Sequence, residues 1–357
     1  MDFNSSSKTF VKCPSSKLTL SAAQSVVRGF HKSKKQYAIL REYQEEVYGE
    51  RRAFILLVIT RCGTQFHLVQ SVLRNKDALI KWALDRRAKM GEVRTTIFDS
   101  SFWNKLEDLS RILKPLHEQQ KMSERNNSTL GEVIPRWNTI LQETEALVAL
   151  IPQLRDFIDS RLKPRRSKQL RAVHTVAMFL SPVNSAKTIT PEVDTAIASF
   201  LFKRCETREV QAQVHKSFHA FKGGRDGFQN GIVVWVHKND PLAFWQTFES
   251  HETHRELARI AIAIFETPAN SVASERAFSC MNLIMTAIRN RLKAEKATKL
   301  TYIHMNQRVL EKNTLFENWQ EGEEELRVEL EETVVDMLSE EEEVEEIDRA
   351  DVGSDNL

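Results

Sequence analysis

The sequence predicts a mainly α protein with one residual strand. Three observations carry this expectation. Apolar residues recur every three or four positions along most of the 357 residues. Pro, Ser, Thr and Asp stand where such runs begin, as helix starts require. A single stretch, "AFILLVIT" from Ala53 to Thr60, is short, apolar and β-branched, and reads as a buried strand.

In chain order, residues 1 to 15 are rich in Ser and Lys and read as disordered, and residues 17–50 hold a helical pattern with basic spacers. After the strand, "FHLVQSVLRNKDALIKWALDRR" sets Leu68, Val72, Leu79 and Ala83 near one helical face. Asp99 and the serines of "FDSSFW" form a helix start, after which Trp103, Leu106, Leu109, Ile112 and Leu113 step by three or four. Pro115 and Pro135 mark turns or kinks. "VIPRWNTILQETEALVALIPQLRDFIDSRL" is one helix, or two broken at Pro152. "VHTVAMFLSP" and "TPEVDTAIASFLFKRC" continue the pattern, the second with Thr190 as N-cap and Pro191 at its first position. "FKGGRDGFQNG" holds Gly223, Gly224, Gly227 and Gly231 and is a loop without the GK[ST] ending of a phosphate cradle. "DPLAFWQTF" restarts helix, and Leu326, Leu330, Val334 and Leu338 space one weak amphipathic helix before a solvated acidic run.

The composition is that of a globular chain with a core, 41% hydrophobic and 28% charged. The longest apolar run, Phe54 to Ile59, falls far short of the ~18 residues a membrane span needs. The N-terminus lacks the apolar stretch of a signal peptide, so an intracellular protein is expected. Cys13, Cys62, Cys205 and Cys280 are scattered, without metal-binding spacing, and read as reduced thiols. Charge is unevenly placed. From Glu321 onward 17 acidic residues face only Arg327 and Arg349, a net −15, whereas the preceding residues carry +17. A basic body points to polyanions, and the tail is placed to compete with them.

The segment "FETPANSVASERAFSCMNLIMTAIRNRL", Phe265 to Leu292, is small and polar at its centre and apolar at both ends. Pro268, Ala269, Asn270 and Ser271 are followed by Ser274, Glu275, Arg276, Phe278 and Ser279, then by Arg289, Asn290, Arg291 and Leu292. This composite resembles the C-terminal block of hAT-superfamily DNA transposases, a dimerisation region. The following "ATKLTYIHMNQRVL" is similar to the helix that closes that block. Upstream, "TRCGTQFHLVQSVLRNKDAL", "SSFWNKLEDLSRILKPL", "LRAVHTVAMFLSP" and "DPLAFWQTF" resemble the family's helical insertion, with Cys62 where Trp is usual. The similarity runs from about residue 35 to residue 312.

The resemblance implies a division into an N-terminal segment (1–52), a residual core strand with a helical insertion domain (53–250), the dimerisation region (251–312) and an acidic tail (313–357). It implies a ribonuclease-H-like ancestry, in which two aspartates and a glutamate hold divalent metal ions that activate the attacking oxygen and stabilise the leaving one. The family's glutamate maps onto Glu275. Its aspartate motifs are not found, since Asp77, Asp85, Asp99 and Asp108 lie in helical or cap contexts. The expectation is a truncated transposase, inactive alone, with no cofactor, and with Mg²⁺ or Mn²⁺ only where a full catalytic core is present. Expected partners are a second copy, a related transposase and, non-specifically, DNA, in the nucleus. Alternatives are a non-cleaving DNA-binding module and a fragment of an intact transposase.

Structural readings stand beside these. Ser271 or Ser274 can cap a helix whose first turn holds Glu275. Phe278, Met281, Leu283, Ile284 and Ile288 suit a core, or an apolar patch that seeks a partner. The basic stretches 31–35, 161–171 and 289–299 read as solvated faces that together favour phosphate contact. Trp82, Trp103, Trp137 and Trp245 have core spacing, although a stacking platform for a base is the other use of such residues.

Overall fold

The computed structural model describes residues 14–56, 63–125, 127–185, 187–228, 231–272, 274, 277–278, 281, 284 and 293–314. They fall into two units, Met1–Ala273 and Ser274–Leu357. Among the described residues every regular element is helical, and no helix is long and apolar enough to cross a membrane.

The first unit opens with α1 (Pro14–Lys32) and α2 (Lys34–Tyr48). Ser33 separates them by accepting from the Gln36 N–H at 3.4 Å, and Gly49 ends α2 in the left-handed region at φ 74°. Helices α3 (Thr64–Arg74) and α4 (Lys76–Leu84) carry the predicted apolar face, with Leu68, Val72, Leu79 and Ala83 fully buried. The break between them is set by Asn75, which is buried and bonded by its side chain to the Ser71 carbonyl. Gln44 of α2 donates to Asn75 Oδ1 at 2.7 Å and to the Arg52 carbonyl at 2.6 Å.

The expected strand does not form over Ala53–Leu56, which carries neither helix nor strand; the rest of that run lies outside the described residues. A strand needs a neighbour for its N–H and C=O groups, and here side chains of neighbouring helices take part of that role. The Ile55 N–H donates to Ser71 Oγ at 3.1 Å, and the Arg52 carbonyl takes Gln44. Phe54 is buried in an aromatic cluster, its ring 5.6 Å from Phe30, which in turn stands 4.8 Å from Trp82.

Helix α5 (Gly91–Phe98) leads into α6 (Ser100–Ser123). Asp99 caps α6 as expected, accepting from the Ser101 N–H at 2.8 Å. Trp103, Leu106, Leu109, Ile112 and Leu113 are all buried. Pro115 makes no turn: it lies inside the continuous helix, buried. An interior proline costs about 3 kcal/mol, and the burial of Ile112, Leu113 and Leu116 around it offsets that. Pro135 is the third residue of α7 (Val133–Ala146), in the first turn, where no helical N–H bond is lost.

After Pro152 the chain forms α8 (Leu154–Phe157), a π turn (Ile158–Leu162) and α9 (Lys163–Gln169). Ile158 and Leu162 are buried, whereas Arg161, Lys163, Lys168 and Arg171 are exposed. The basic stretch 161–171 is therefore largely a solvated face.

A second core gathers α10 (Ala172–Leu180), α11 (Pro191–Phe202), α12 (Arg208–Lys222), α13 (Gly231–Val236), α14 (Pro241–Gln246) and α15 (Arg255–Glu266). Thr190 and Pro191 start α11 as the sequence predicts. Phe221, Phe228, Phe244, Trp245 and Phe248 form its aromatic centre, and the Trp245 indole N–H donates to the Leu180 carbonyl at 2.8 Å. At Gly131, in the 3-10 turn Leu130–Glu132, a Cβ would stand 2.9 Å from the Ala177 carbonyl oxygen of α10.

The glycine loop turns through Gly224, Asp226 and Gly227, all at positive φ. The Asp226 carbonyl is thereby held 2.7 Å from Nε2 of His254, a bond in which the imidazole donates. The other nitrogen, Nδ1, lies 3.0 Å from Ser217 Oγ.

Candidate dimerisation surface

The first residues of the motif, 268–272, follow the end of the second core. Leu257, Ala258, Ala261, Ile264 and Phe265 bury one face of α15, and Thr267 ends the helix. Pro268 is exposed, Ala269 buried and Asn270 half-buried. Asn270 is a structural joint. Its Oδ1 accepts from the Val272 N–H at 2.8 Å, and its amide donates to the Ser123 carbonyl at the end of α6. Ser123 Oγ accepts in turn from the buried Arg136, 3.0 Å away, whose other nitrogen meets Glu132 at 2.7 Å. Burial pushes the Arg136 guanidinium below its ordinary pKa, and the Glu132 charge opposes that shift.

Ser271 and Ser274 are exposed, the first just before the helical residues that begin at Val272. Glu275, Arg276, Ser279, Arg289, Asn290, Arg291 and Leu292 lie outside the described residues, as do Leu283 and Ile288.

The second unit provides an apolar groove. Ala277, Phe278 and Met281, all helical, line it from one side. Thr298, Thr301, Tyr302 and Asn306 of α16 (Ala294–Thr314) line the other, around a cavity of about 460 Å³. Ala297 and Thr301 are the buried face of α16, and the Thr301 hydroxyl is spent on the Ala297 carbonyl at 2.8 Å. With that hydroxyl turned to the backbone, the threonine presents its methyl group as apolar lining. Phe278, Tyr302 and Ile303 are 62%, 70% and 58% exposed, and Leu300 is exposed beside them. Exposed apolar area of the kind Phe278 and Tyr302 present at the groove is unfavourable in water unless it is covered.

Phe278 was legible from the motif. Tyr302, Leu300 and Ile303 were not singled out in the sequence. Their signal is the lack of a single apolar face in "ATKLTYIHMN", where large apolar residues point away from the buried Ala297 and Thr301.

The four tryptophans with core spacing, Trp82, Trp103, Trp137 and Trp245, are all buried. Among the described residues the exposed tryptophan is Trp235 of α13, at 77%, beside exposed Val236. Three of the four aspartates set against the catalytic motifs have local duties, and the fourth, Asp77, lies in the first turn of α4. Asp85 takes the Tyr43 hydroxyl and Arg87, Asp99 caps α6, and Asp108 pairs with Arg111 at 3.1 Å. Hydrogen bonds to Arg87 and Tyr43 hold the Asp85 carboxyl below the usual range, and bonds to Ser101 do so for Asp99.

Residues 228–306 match the model of a family described as the hAT family C-terminal dimerisation region. That span takes in α13, α14 and α15, the motif, and the groove-lining part of α16. Over 325 residues the chain is 20% identical to zinc finger BED domain-containing protein 4 of Homo sapiens, an alignment covering 80% of this chain. It covers 27% of that protein, so the chain spans about a quarter of the relative's length. The motif, its helical setting and these two matches agree: residues 228–306 of this chain are a hAT-type C-terminal dimerisation region.

Proposed function

We propose that this protein self-associates through its C-terminal region and does not by itself cut DNA. The observation that carries this reading is the apolar groove between Phe278 and Tyr302, which lies inside the matched dimerisation region and leaves both rings exposed. A second copy of the chain, or a related transposase bearing the same block, supplies the complementary apolar surface. Light scattering at micromolar concentration tests this. A dimer or larger species is expected, converted towards monomer by Phe278→Asp with Tyr302→Asp at unchanged helicity; a strict monomer for the unaltered chain would sink the proposal.

Catalytic silence is the second part of the reading. A two-metal site needs several carboxylates around two cations. Glu275 is the family's carboxylate here, and Asp85, Asp99 and Asp108 are engaged in caps and ion pairs elsewhere. Purified chain with Mg²⁺ or Mn²⁺ should leave DNA ends uncut. Metal-dependent cleavage lost in Glu275→Ala would overturn this.

A DNA-binding reading draws on one further observation, the exposed Trp235 on a basic body. It places the protein in the nucleus as a non-cleaving module. Binding that weakens steeply with salt supports it; no binding at low salt removes it.

A further inference from the structure

We propose that Asp194, His215 and His219 form a binding site for one divalent transition-metal ion, zinc by preference, that ties α11 to α12. This site lies outside the motif and the groove, and it is independent of the self-association reading.

His215 and His219 are four residues apart on α12, so their rings leave the same face. Their Nε2 atoms converge to 3.2 Å. Asp194, in the first turn of α11, brings Oδ1 to 3.5 Å from His219 Nε2. All three ligand atoms lie within 4.8 Å of one another. Two zinc–nitrogen bonds of about 2.0–2.1 Å meeting at a tetrahedral angle separate their donors by about 3.3 Å. The two short spacings here match the edges of such a polyhedron.

The carboxylate provides an independent pointer. Asp194 Oδ1 is shielded from solvent and has no hydrogen-bond partner. The approach of His219 is too long to serve as one. A buried, unpaired carboxylate oxygen is costly, and a cation bound beside it removes that cost. Without a metal, the two imidazoles can satisfy each other by one N–H···N bond, yet that leaves Asp194 Oδ1 as it is.

The donor set selects the metal class. Two imidazoles and one carboxylate suit zinc and its first-row neighbours, whereas Mg²⁺ and Ca²⁺ prefer all-oxygen shells. The side chains of His219 and Asp194 remain 40% and 32% exposed, so water has access to complete the shell. The ion would close the α11–α12 hairpin at a point where Phe202 already meets the His215 ring, 6.0 Å between centroids.

The test uses the full chain, stripped with a chelator and titrated calorimetrically with Zn²⁺. One zinc per chain is expected, with a rise in the thermal midpoint of at least about 3 °C. His215→Ala, His219→Ala and Asp194→Asn should each weaken binding more than about 100-fold, beyond what loss of a merely supporting residue does. Cys205→Ala should leave it unchanged. Co²⁺ in place of zinc should show the visible absorption of a four-coordinate site, lost in the two histidine variants. Zinc binding that survives the double variant His215→Ala/His219→Ala, or no binding at tens of micromolar metal, would overturn the proposal; circular dichroism of each variant separates loss of ligand from loss of fold.

Discussion

The Asn270 side chain donates to the main-chain carbonyl of Ser123, 147 residues earlier in the chain. The bond ties the turn at Asn270 to the end of α6. Asn270 also accepts from the Val272 N–H, so one side chain both orders the turn and anchors it. Asn270→Ala should lower stability by about 1–2 kcal/mol, the cost of leaving a carbonyl and an N–H unpaired. Asn270→Asp should also lose the Ser123 bond, which a carboxylate cannot make, but keep the Val272 bond. Denaturant midpoints of the three proteins check the order.

Gly131→Ala should destabilise the first unit by about 1–3 kcal/mol. The new methyl meets the Ala177 carbonyl at 2.9 Å, and that contact is helix backbone rather than a flexible side chain. A chemical unfolding curve with a lower midpoint and unchanged slope is the expected result.

His254 and His174 are buried, and burial pushes both imidazoles below their ordinary pKa. Above pH ~6.5 they are neutral folded or unfolded. Below it the unfolded chain takes up protons that the folded one refuses, so stability falls as pH drops from ~6.5. Urea midpoints between pH 7.5 and 5 should show this fall. Replacing either histidine with Gln should flatten it. The depressed carboxyls of Asp85 and Asp99 act separately, their contribution being lost below pH ~4.

Lys222 is pushed down to about 8 by burial, with Lys187 adding repulsion. Its Nζ donates to the Asn184 carbonyl at 2.9 Å and sits 5.0 Å from the Phe179 ring centre. Because the folded state resists the charge, stability should rise with pH from about 8 towards the unfolded lysine value of ~10.4. Lys222→Met should remove that rise and stabilise the chain at pH 7 by on the order of 1 kcal/mol, after discount for solvent screening. The Asn184 carbonyl keeps the Lys187 N–H as a partner. Thermal melts at pH 7 and pH 9.5 distinguish the two chains.

Much of the helical architecture was legible because it depends on local spacing. Leu68, Val72, Leu106 and Ile112 are buried where the three-four pattern puts them, and Asp99 and Thr190 start the helices they precede. What failed depends on distant partners. "AFILLVIT" has strand composition, but its Ile55 N–H is met by Ser71, and the Arg52 carbonyl just before it by Gln44. The break at Asn75 is likewise held by Gln44, 31 residues away. In the candidate site Phe278 came from the motif, whereas Tyr302 needed the folded α16 to show that it faces away from Ala297. The spacing of His215 and His219 is visible in "VHKSFHAF", yet Asp194 joins them only through tertiary packing.

The π turn at Ile158–Leu162 bears on what lengths this helix tolerates. A π turn holds one residue more than the α turn it replaces, and each residue turns an α-helix by roughly 100°. Deleting a single residue there would make the segment a plain α-helix without shortening its hydrogen-bond ladder. Because the π turn spends its extra residue on about the same rotation as the α turn, the deletion would leave everything beyond it, Lys163, Arg165 and Arg166 included, near its present bearing. The placement of that cationic face therefore tolerates the loss of one residue at the turn, whereas the same loss within the regular part of the helix would rotate the face by roughly 100°.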